Sequence, residues 1–472
     1  MQYLKFKTCL TVLIVLSGFP FQSFSQTSTF PTYDKDLLDA EFYKARREML
    51  RNKMPDSSVS ILFSSPERNR SNDVDYTFHQ DPSFFYLTGI TEPNSVLLIF
   101  KQKQSFSGKV VDELLFIPKK NISQEIWNGL QAGPADASAL SGIQLVQTSD
   151  AFSSLVFPMS SLNWILRMSF PKGMVDVKRD ETDLFSLVDQ FKLSTNFPSS
   201  KDDDFRLSKM LTEMREIKQP AEIKLMRKAI ELSCEGHKEM MRGLEPGMSE
   251  YSIQAIGEYV FKSGGAETFG YPSICGGGEN SCILHYESNR RPLYSGDLIL
   301  LDMGGEYHGY SADITRTLPV NGKFTTEQKE IYKLVYQAQT EAFDKCKPGN
   351  RFHDPHNAAM NIIATGLLSL GITKNLEDAK TYFMHNTSHY LGLDVHDPGS
   401  YAPLKEGNVI TIEPGIYIPK GSNCDSKWWN IGIRIEDDVL ITSDGYEILS
   451  GSLPSKWEDV EKLMEEKSFL NK

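Results

Sequence analysis

The sequence predicts a two-domain α/β (α+β) protein, with a mixed α/β domain over residues 26–200 and a second domain over residues 201–472. A chain of 472 residues is longer than one ordinary hydrophobic core supports. Short apolar segments alternate along it with segments of helical periodicity. A polar run at 199–204 follows Pro198 and has the composition of a linker between the two halves.

The composition and the net charge of the chain exclude several classes of protein. With 40% hydrophobic and 24% charged residues, the chain is typical of a globular protein and not of a disordered or multi-span membrane protein. The formal net charge is −12, and no basic run offsets it. Because nucleic-acid binding needs a basic face, we expect no nucleic-acid partner.

Residues 1–25 have the pattern of a cleavable signal peptide. Lys5 and Lys7 precede an apolar run at 10–21, and small residues follow at positions 23 and 25. The alternative is a retained membrane anchor, but this run is short against the roughly 20 residues that a span requires. We therefore expect export to the periplasm or the medium, with no stable membrane span after cleavage.

Cysteine usage argues against a disulfide framework. The chain has six cysteines, and cleavage of the signal would remove Cys9 and leave an odd number. None of them has zinc-ligand spacing. We expect free thiols, most of them buried.

The first domain is predicted to contain a helix over 34–54, followed by strands at 59–63, 95–100 and 113–117. The segment 73–89 is unusually aromatic for a loop region, and packing in the core is its simplest interpretation. Composition and periodicity alone indicate no catalytic cluster in this half.

The second half begins with helical periodicity. Pro220 and Glu222 suit the first turn of a helix. The glycines at 276–278 do not predict a phosphate loop, because no Lys-Ser/Thr pair follows and no helix begins there. The predicted helices are 206–217, 222–243, 249–263, 326–347 and 356–370.

A hairpin over residues 302–313 is the first candidate site. It follows the apolar run 297–301, and a tight turn centred on Tyr307-His308 would bring Asp302 and Asp313 close together across the ladder. Two neighbouring buried carboxylates repel unless something neutralises them, and a divalent cation does so commonly. From this stretch alone, two solvated hairpin aspartates are an equal alternative.

Three histidines and two glutamates extend the candidate site. Three of the nine histidines in the chain, His385, His389 and His396, fall within twelve residues. Glu413 ends an apolar strand, and Glu436 is predicted to lie inside another strand, where an unpaired carboxylate would be costly.

The carboxylates of Asp302, Asp313, Glu413 and Glu436 together carry four negative charges, which two divalent cations would balance. With one neutral imidazole they form a mainly oxygen ligand set, which suits Mn²⁺, Mg²⁺ or Co²⁺. Two such ions predict metal-assisted hydrolysis.

These residues resemble, in order and spacing, the five ligands of the pita-bread metallopeptidases. Asp302 and Asp313 stand eleven apart, His389 lies in His-x-x-x-His-x-Leu-Gly, Glu413 in Glu-Pro-Gly, and Glu436 in Arg-Ile-Glu-Asp-Asp.

The surrounding sequence resembles one branch of these enzymes more closely, the aminopeptidase P (Xaa-Pro aminopeptidase) family. The similar stretches are 278–280 (Gly-Glu-Asn), 283–286 (Ile-Leu-His-Tyr), 313–324 and, in the first domain, 81–89. The resemblance runs from about Asp34 to the C-terminus. It implies an N-terminal aminopeptidase P domain followed by a C-terminal pita-bread catalytic domain.

The resemblance implies a role for each ligand. Asp302 would hold one metal ion, His389 and Glu413 the other, and Asp313 and Glu436 would bridge the two. Mn²⁺ is the first choice of metal, with Co²⁺, Mg²⁺ or Zn²⁺ as alternatives. A hydroxide bridging the two ions would attack the peptide.

Catalytic roles follow from the same resemblance. Glu413 would also shuttle a proton to the leaving nitrogen. His285 and His396 would stabilise the oxyanion and hold the substrate carbonyl.

Substrate-binding roles are implied as well. His385 would line the proline pocket, and Arg434, Tyr417 and Asp73 would form a relay that orients Asp302 near the substrate amine.

Trp127 would reach into the site of a neighbouring subunit, which implies a homo-oligomer, dimer or tetramer. A core tryptophan is the alternative.

The implied reaction releases the N-terminal residue from peptides whose second residue is proline. A pocket shaped to the proline ring with no need for an N–H donor would favour the imide bond. The nearest alternative is a prolidase, which shares the ligands but cleaves only Xaa-Pro dipeptides. A methionine aminopeptidase lacks so long a first domain, a creatinase-like enzyme lacks the full metal set, and a non-catalytic binding protein of this fold would have lost ligands.

Overall fold

The computed structural model describes residues 33–106, 108–155, 162–172 and 182–469. The predicted signal at 1–25, with Cys9, lies outside the described residues. Within them, no helix has the length and apolar character that a membrane crossing would require. The five described cysteines are free, and three of them are buried, in agreement with the prediction.

The first domain is built on a six-stranded mixed sheet with the strand order β6-β5-β4-β1-β7-β8. Strand β1 pairs antiparallel with β4 and parallel with β7. Its elements are α1 (Ala40–Lys53), β1 (Ser58–Phe63), β2 (Asn69–Ser71), β3 (Val74–Asp75), α2 (Pro82–Thr88), β4 (Val96–Phe106), β5 (Lys109–Ile117), α3 (Ile122–Asn128), α4 (Pro134–Ser141), β6 (Val146–Thr148), β7 (Trp164–Arg167), α5 (Leu184–Thr195) and β8 (Asp202–Asp203).

The central strand β1 is buried along its whole length because both faces of the sheet are covered. Val59 and Ile61 pack into a cluster that includes residues of α5. Leu62 points the other way, into the core shared with the second domain. The three predicted strands therefore exist, and β4 and β5 extend beyond their predicted ends.

The boundaries of two predicted segments differ from the structure. Helix α1 begins at Ala40, not at residue 34, because Asp39 caps it by accepting the Phe42 N–H at 2.8 Å. The polar run 199–204 is not only a connection, since β8 within it adds an edge strand to the first sheet by pairing with β7.

The second domain has four small antiparallel sheets with helices packed around them. The sheets are β10-β11-β14, β13-β12-β9, β15-β18-β19 and β16-β17. Its elements are α6 (Phe205–Arg215), α7 (Pro220–Gly243), α8 (Glu250–Ser263), β9 (Thr268–Phe269), β10 (Ile274–Gly277), β11 (Leu298–Asp302), β12 (Gly305–Tyr307), β13 (Tyr310–Ser311), β14 (Thr315–Pro319), α9 (Thr326–Phe343), α10 (Asp354–Ser369), β15 (Val409–Ile412), β16 (Gly415–Ile418), β17 (Ile431–Arg434), β18 (Asp437–Ile441), β19 (Tyr446–Ile448) and α11 (Trp457–Leu463).

The start of α7 agrees with its sequence signals. Pro220 occupies the first turn, and the Glu222 carboxylate accepts the Gln219 N–H at 2.8 Å, which closes a capping box. The helix is longer at this end than predicted because Pro220 is part of it.

The predicted centre of the hairpin at 302–313 is wrong by one residue. The turn lies at His308-Gly309, whose φ angles of 49° and 81° are both left-handed, as a two-residue hairpin turn requires. Asp302 consequently pairs with Thr315 and not with Asp313. The hairpin is also divided between two sheets, since β11 and β14 belong to one and β12 and β13 to another.

Candidate active site

A cavity of about 420 Å³ opens where the sheets of the second domain meet. It collects nine of the predicted site residues from four separate parts of the sequence, and Tyr417 is hydrogen-bonded to two of them. The nine are His285, Asp302, Asp313, His385, His389, His396, Glu413, Arg434 and Glu436.

Two hairpins are joined side by side beneath this cavity. The Thr317 hydroxyl accepts the Arg434 N–H and donates to the Arg434 carbonyl, each at 3.1 Å. The Glu436 N–H donates to the Thr315 carbonyl, also at 3.1 Å. These bonds bring the β11–β14 and β16–β17 segments together, so ligands more than a hundred residues apart converge.

Three of the predicted ligands form a compact group. Ligand atoms of Asp313, His389 and Glu436 all lie within 4.8 Å of one another. Nε2 of His389 lies 3.2 Å from Asp313 Oδ2 and 3.6 Å from Glu413 Oε1. One imidazole among carboxylates suits a divalent cation with oxygen-rich coordination.

The buried carboxylates around His389 repel one another, and the residues present do not fully balance their negative charge. Burial raises the pKa of Glu413 to about 7, although His389 and Arg434 oppose the shift. Burial also raises the pKa of Glu436 well above its usual range, and repulsion from Asp313 adds to that rise. Burial lowers the pKa of His389, but the hydrogen bond to Asp313 and the negative charges of Asp313 and Glu413 together outweigh burial and raise the pKa to about 9. Positive charge at this point would relieve the repulsion, so the residues fit divalent metal ions.

His389 is oriented for such a role by its backbone. Its Nδ1 donates to the Tyr390 carbonyl at 3.0 Å, which leaves Nε2 facing Asp313 and Glu413. A hydrogen bond from the other ring nitrogen is the usual support for a metal-binding histidine.

Both carboxylate oxygens of Asp302 accept hydrogen bonds from neighbouring side chains. The Tyr271 hydroxyl donates to Oδ1 at 2.7 Å, and Arg434 Nη2 donates to Oδ2 at 2.5 Å. Burial raises the pKa of Asp302, whereas the Arg434 guanidinium lowers it. Sequence reasoning missed Tyr271, which lies thirty-one residues upstream in a segment without periodicity.

Arg434, Tyr417 and His385 form a continuous chain of hydrogen bonds. Arg434 Nη1 donates to the Tyr417 hydroxyl at 2.8 Å, and that hydroxyl lies 2.8 Å from His385 Nε2. Because His385 Nδ1 donates to the Asn386 carbonyl at 2.8 Å, Nε2 is left as the acceptor. Burial and the nearby Arg434 lower the pKa of His385 to about 3, so the ring is neutral.

Asp73, predicted as a member of this relay, does not join it within the described residues of the single chain. Asp73 lies exposed in the turn between β2 and β3. Among the described residues it forms no hydrogen bond or ion pair with Arg434 or Tyr417. The Arg434 guanidinium is already occupied, since Nε donates to Thr315 and the other nitrogens donate to Tyr417 and Asp302.

The prediction that Glu436 lies inside a strand is also wrong. It occupies the break between β17 and β18, where the chain changes sheets. The Thr315 hydroxyl donates to its Oε2 at 2.6 Å. The break directs the carboxylate into the cavity beside Asp313.

His285 and His396 lie exposed at the cavity wall, where they can contact a bound peptide. The rings of His396 and His389 meet edge to face with centroids 4.4 Å apart. Burial and the neighbouring His389 lower the pKa of His396, so its ring is neutral.

Trp127 does not contribute to the cavity of its own chain. It lies in α3 with 86% of its surface exposed, which excludes the alternative of a core tryptophan. Ile122, Ile126 and Leu130 are exposed beside it.

Comparisons with known proteins agree with this geometry. Residues 224–443 match the model of metallopeptidase family M24, and residues 43–162 match that of the aminopeptidase P N-terminal domain. A Xaa-Pro aminopeptidase of Haemophilus influenzae is 38% identical over 439 residues, which are 90% of this chain and 98% of that protein.

Solved structures match over the same extent. Proline aminopeptidase P II of Yersinia pestis superposes with a TM-score of 0.81 at 35% identity, covering 90% of this chain and 99% of that one. Aminopeptidase P of Escherichia coli with the inhibitor Pro-Leu gives a TM-score of 0.81 at 33% identity, covering 90% and 98%.

Proposed function

The chain belongs to metallopeptidase family M24 and carries an aminopeptidase P N-terminal domain, and from this premise we propose how its residues perform the reaction. The prediction of a pita-bread catalytic domain behind a mixed α/β domain is confirmed. The prediction of a metal-dependent Xaa-Pro aminopeptidase, a hydrolase that removes the residue before proline, is confirmed as well.

The observation that carries the proposal is the convergence of five ligand side chains in one cavity. Asp302, Asp313, His389, Glu413 and Glu436 are the residues that would hold the divalent ions. Two divalent cations bound here would polarise the scissile carbonyl and lower the pKa of a water molecule between them.

Glu413 is the proposed proton carrier. Its carboxyl lines the cavity beside the other ligands, where it can take a proton from the attacking water and give it to the proline nitrogen as that bond breaks. His385 Nδ1 lies 3.6 Å from its Oε2 but is committed to the Asn386 carbonyl, so the proton stays with Glu413.

His285 and His396 are the proposed donors to the oxygen that gains negative charge. Both face the cavity, and an imidazole N–H of each can donate a hydrogen bond to that oxygen. His385 lies deeper, between Phe383 and Tyr417, and offers a flat, uncharged wall for a proline ring.

Asp302 is proposed to make the enzyme an exopeptidase. Arg434 and Tyr271 fix its carboxylate in the lining of the cavity, where it can pair with a free substrate amine. A blocked N-terminus would lose that pairing.

The metal is proposed to be Mn²⁺, with Co²⁺, Mg²⁺ or Zn²⁺ as alternatives. Four carboxylates and one imidazole favour an ion that accepts mainly oxygen ligands. Turnover measured after loading the stripped protein with each ion in turn would rank them.

One comparison of substrates separates the proposed reaction from that of a prolidase. Because Pro-Leu is an inhibitor of the Escherichia coli relative, Gly-Pro-Leu is a suitable tripeptide, and Gly-Pro is the matching dipeptide. We expect Gly-Pro-Leu to be cleaved to glycine and Pro-Leu at the higher kcat/KM. Preference for Gly-Pro would assign the chain to prolidase activity instead.

We also propose a homo-oligomer, dimer or tetramer. The exposed apolar surface of Ile122, Ile126, Trp127 and Leu130 supports it, since an isolated patch of this kind usually meets a partner. Sedimentation of wild type and W127A would test it.

Export through residues 1–25 is a further proposal, supported by the sequence alone. N-terminal sequencing of protein expressed with its leader would test it. A mature protein beginning near residue 26 is the expected result, and retention of residues 1–25 would contradict it.

A further inference from the structure

His285 has no side-chain partner of its own to hold it in place. Within the part of the chain that the structure describes, its imidazole forms no hydrogen bond and is exposed to the cavity. Its position therefore depends on the backbone of residues 277–291, which we call the His285 loop. This loop starts at the last residue of β10 and has no regular structure after a short 3-10 turn at Gly278–Cys282.

The Glu250 carboxylate accepts hydrogen bonds from both ends of this loop. Glu250, the first residue of α8, is fully buried. Its Oε1 accepts the Gly277 N–H at 2.7 Å and the Asn280 side-chain amide at 3.0 Å. Its Oε2 accepts the Tyr286 hydroxyl at 3.0 Å and the Arg291 N–H at 2.7 Å.

All four donors belong to the His285 loop, and one of them, Tyr286, is the residue next to His285. The bonds also account for two stretches to which the reaction assigns no role, Gly-Glu-Asn at 278–280 and the tyrosine of Ile-Leu-His-Tyr at 283–286. Their Asn280 and Tyr286 side chains meet at the same carboxylate.

The loop has further anchors that do not involve Glu250. Asn289 accepts the Cys275 N–H at 3.0 Å and donates to Gln254 and to the Ser273 carbonyl. Ser281 Oγ accepts the Gly432 N–H at 3.1 Å. These bonds fix the ends of the loop, whereas only the bond from Tyr286 lies directly beside His285.

We propose that Glu250 is a positioning residue that holds His285 where the substrate oxygen gains charge. Four hydrogen bonds from one rigid helix end define where the loop turns, and hence where the imidazole enters the cavity. Whichever way its amide turned, a glutamine here would point its NH₂ group at one backbone N–H, that of Gly277 or of Arg291, and would lose that bond because a backbone N–H cannot accept.

The variant that tests this is E250Q. The inference rests on the proposed function, so wild-type turnover of Gly-Pro-Leu is measured first. We expect E250Q to lower kcat about 10- to 100-fold, the usual cost of a lost supporting bond, with KM changed less than about threefold. Metal content per chain should equal that of wild type.

A double-mutant cycle with H285A separates positioning from general stability. We expect E250Q to lower kcat in the wild-type background but to have little further effect in H285A, because the residue it positions is gone. Equal losses in both backgrounds would overturn the proposal. E461Q is the matched control, since Glu461 is also buried and also accepts a backbone N–H, that of Phe324, but does not line the cavity.

Amide hydrogen exchange gives a readout that does not need turnover. E250Q should speed exchange within residues 277–291 while α8 stays protected, and unchanged exchange there would refute the proposal even for an inactive wild type. If wild type cleaves no tripeptide but E250Q loosens the loop, the proposed function fails and the structural assignment stands. If E250Q does not fold, Y286F, which removes one of the four bonds, should show a smaller loss of kcat in the same cycle.

Discussion

At the scale of single residues, Glu413 and His385 lie side by side with opposite proton affinities. Burial raises the pKa of the carboxyl to about 7, whereas burial and Arg434 lower that of the imidazole to about 3. Near neutral pH the imidazole is therefore uncharged. This difference supports the separate tasks proposed for the two side chains, proton transfer for Glu413 and substrate contact for His385.

Replacing Glu413 by glutamine should remove proton transfer without removing the fold. We expect kcat to fall by at least about 10³-fold, the range that a general acid or base contributes. Circular dichroism and the unfolding midpoint should stay near those of wild type. Activity close to wild type would exclude Glu413 as the proton carrier.

Replacing His385 by alanine should act on binding. We expect KM for Gly-Pro-Leu to rise about tenfold, which corresponds to the loss of one good contact, while kcat stays within about threefold. Steady-state kinetics over a wide substrate range measures both. A fall in kcat at unchanged KM would contradict the assignment of His385 to the proline pocket.

At the scale of elements, the site depends on the place where the 302–313 hairpin passes from one sheet to another. Gly304 lies between the two aspartates in sequence, and a Cβ there would lie 1.9 Å from the Ala312 carbonyl oxygen. Backbone atoms cannot make room as a flexible side chain can. This close approach keeps Asp302 and Asp313 on the same side of the cavity.

The variant G304A should therefore damage both stability and metal binding. We expect the free energy of unfolding to fall by about 3 kcal/mol, the upper end of overpacking costs, measured by denaturant titration. Gly445 is a matched control, because a Cβ there meets no atom within 4 Å and its φ is not left-handed. If G304A and G445A were equally stable, the close approach would not matter.

The sequence was sufficient to find the ligands of this element but not its register. The spacing of Asp302 and Asp313 and the apolar run before them indicated a paired structure. The position of the turn depends on His308 adopting a left-handed φ. The local sequence does not show whether His308 or a neighbouring residue adopts that conformation. Glu436 was misplaced for a similar reason, since neither residue of the strand break at 435–436 is a glycine or proline, and the Glu436 N–H there donates to the distant Thr315 carbonyl of β14.

At the scale of the whole molecule, the two domains are connected by polar contacts around that same turn. His308 donates through Nδ1 to Glu267 at 2.6 Å and through Nε2 to Asp36 of the first domain at 3.1 Å. Tyr307 also donates to Asp36. His79 of the first domain lies 3.0 Å from Glu306.

This contact should make stability depend on pH. Burial lowers the pKa of His308, but its bonds to Glu267 and Asp36 outweigh burial and raise it overall. A raised folded-state pKa stabilises the fold fully below the unfolded value of about 6.5, and the gain is lost as pH rises through the folded value.

The comparison variant is H308N, because asparagine tolerates the left-handed turn but cannot become charged. We expect wild type to have a higher free energy of unfolding than H308N, as measured by denaturant titration. The difference between the two proteins should be larger at about pH 6 than at about pH 9. His79 titrates equally in both proteins and cancels. A difference independent of pH would mean that His308 is not charged in this contact.

Relations between distant residues were the least accessible to sequence reasoning. The resemblance suggested Asp73 as a partner of Arg434, but the N-terminal domain places it in an exposed turn. Tyr271, which does support Asp302, carries no local signal because its role arises only when β10 and β11 pair. The ligand residues themselves could be found because carboxylates beside apolar segments are costly to bury without a cation.

The central claim is that the carboxylates around His389 hold two divalent ions that drive Xaa-Pro cleavage. Its most direct test is to titrate the chelator-stripped protein with Mn²⁺ while following release of glycine from Gly-Pro-Leu and bound metal per chain. We expect no turnover without metal and a plateau of activity once two ions per chain are bound. Full turnover by the stripped protein, or metal binding at this site without any turnover, would contradict the claim.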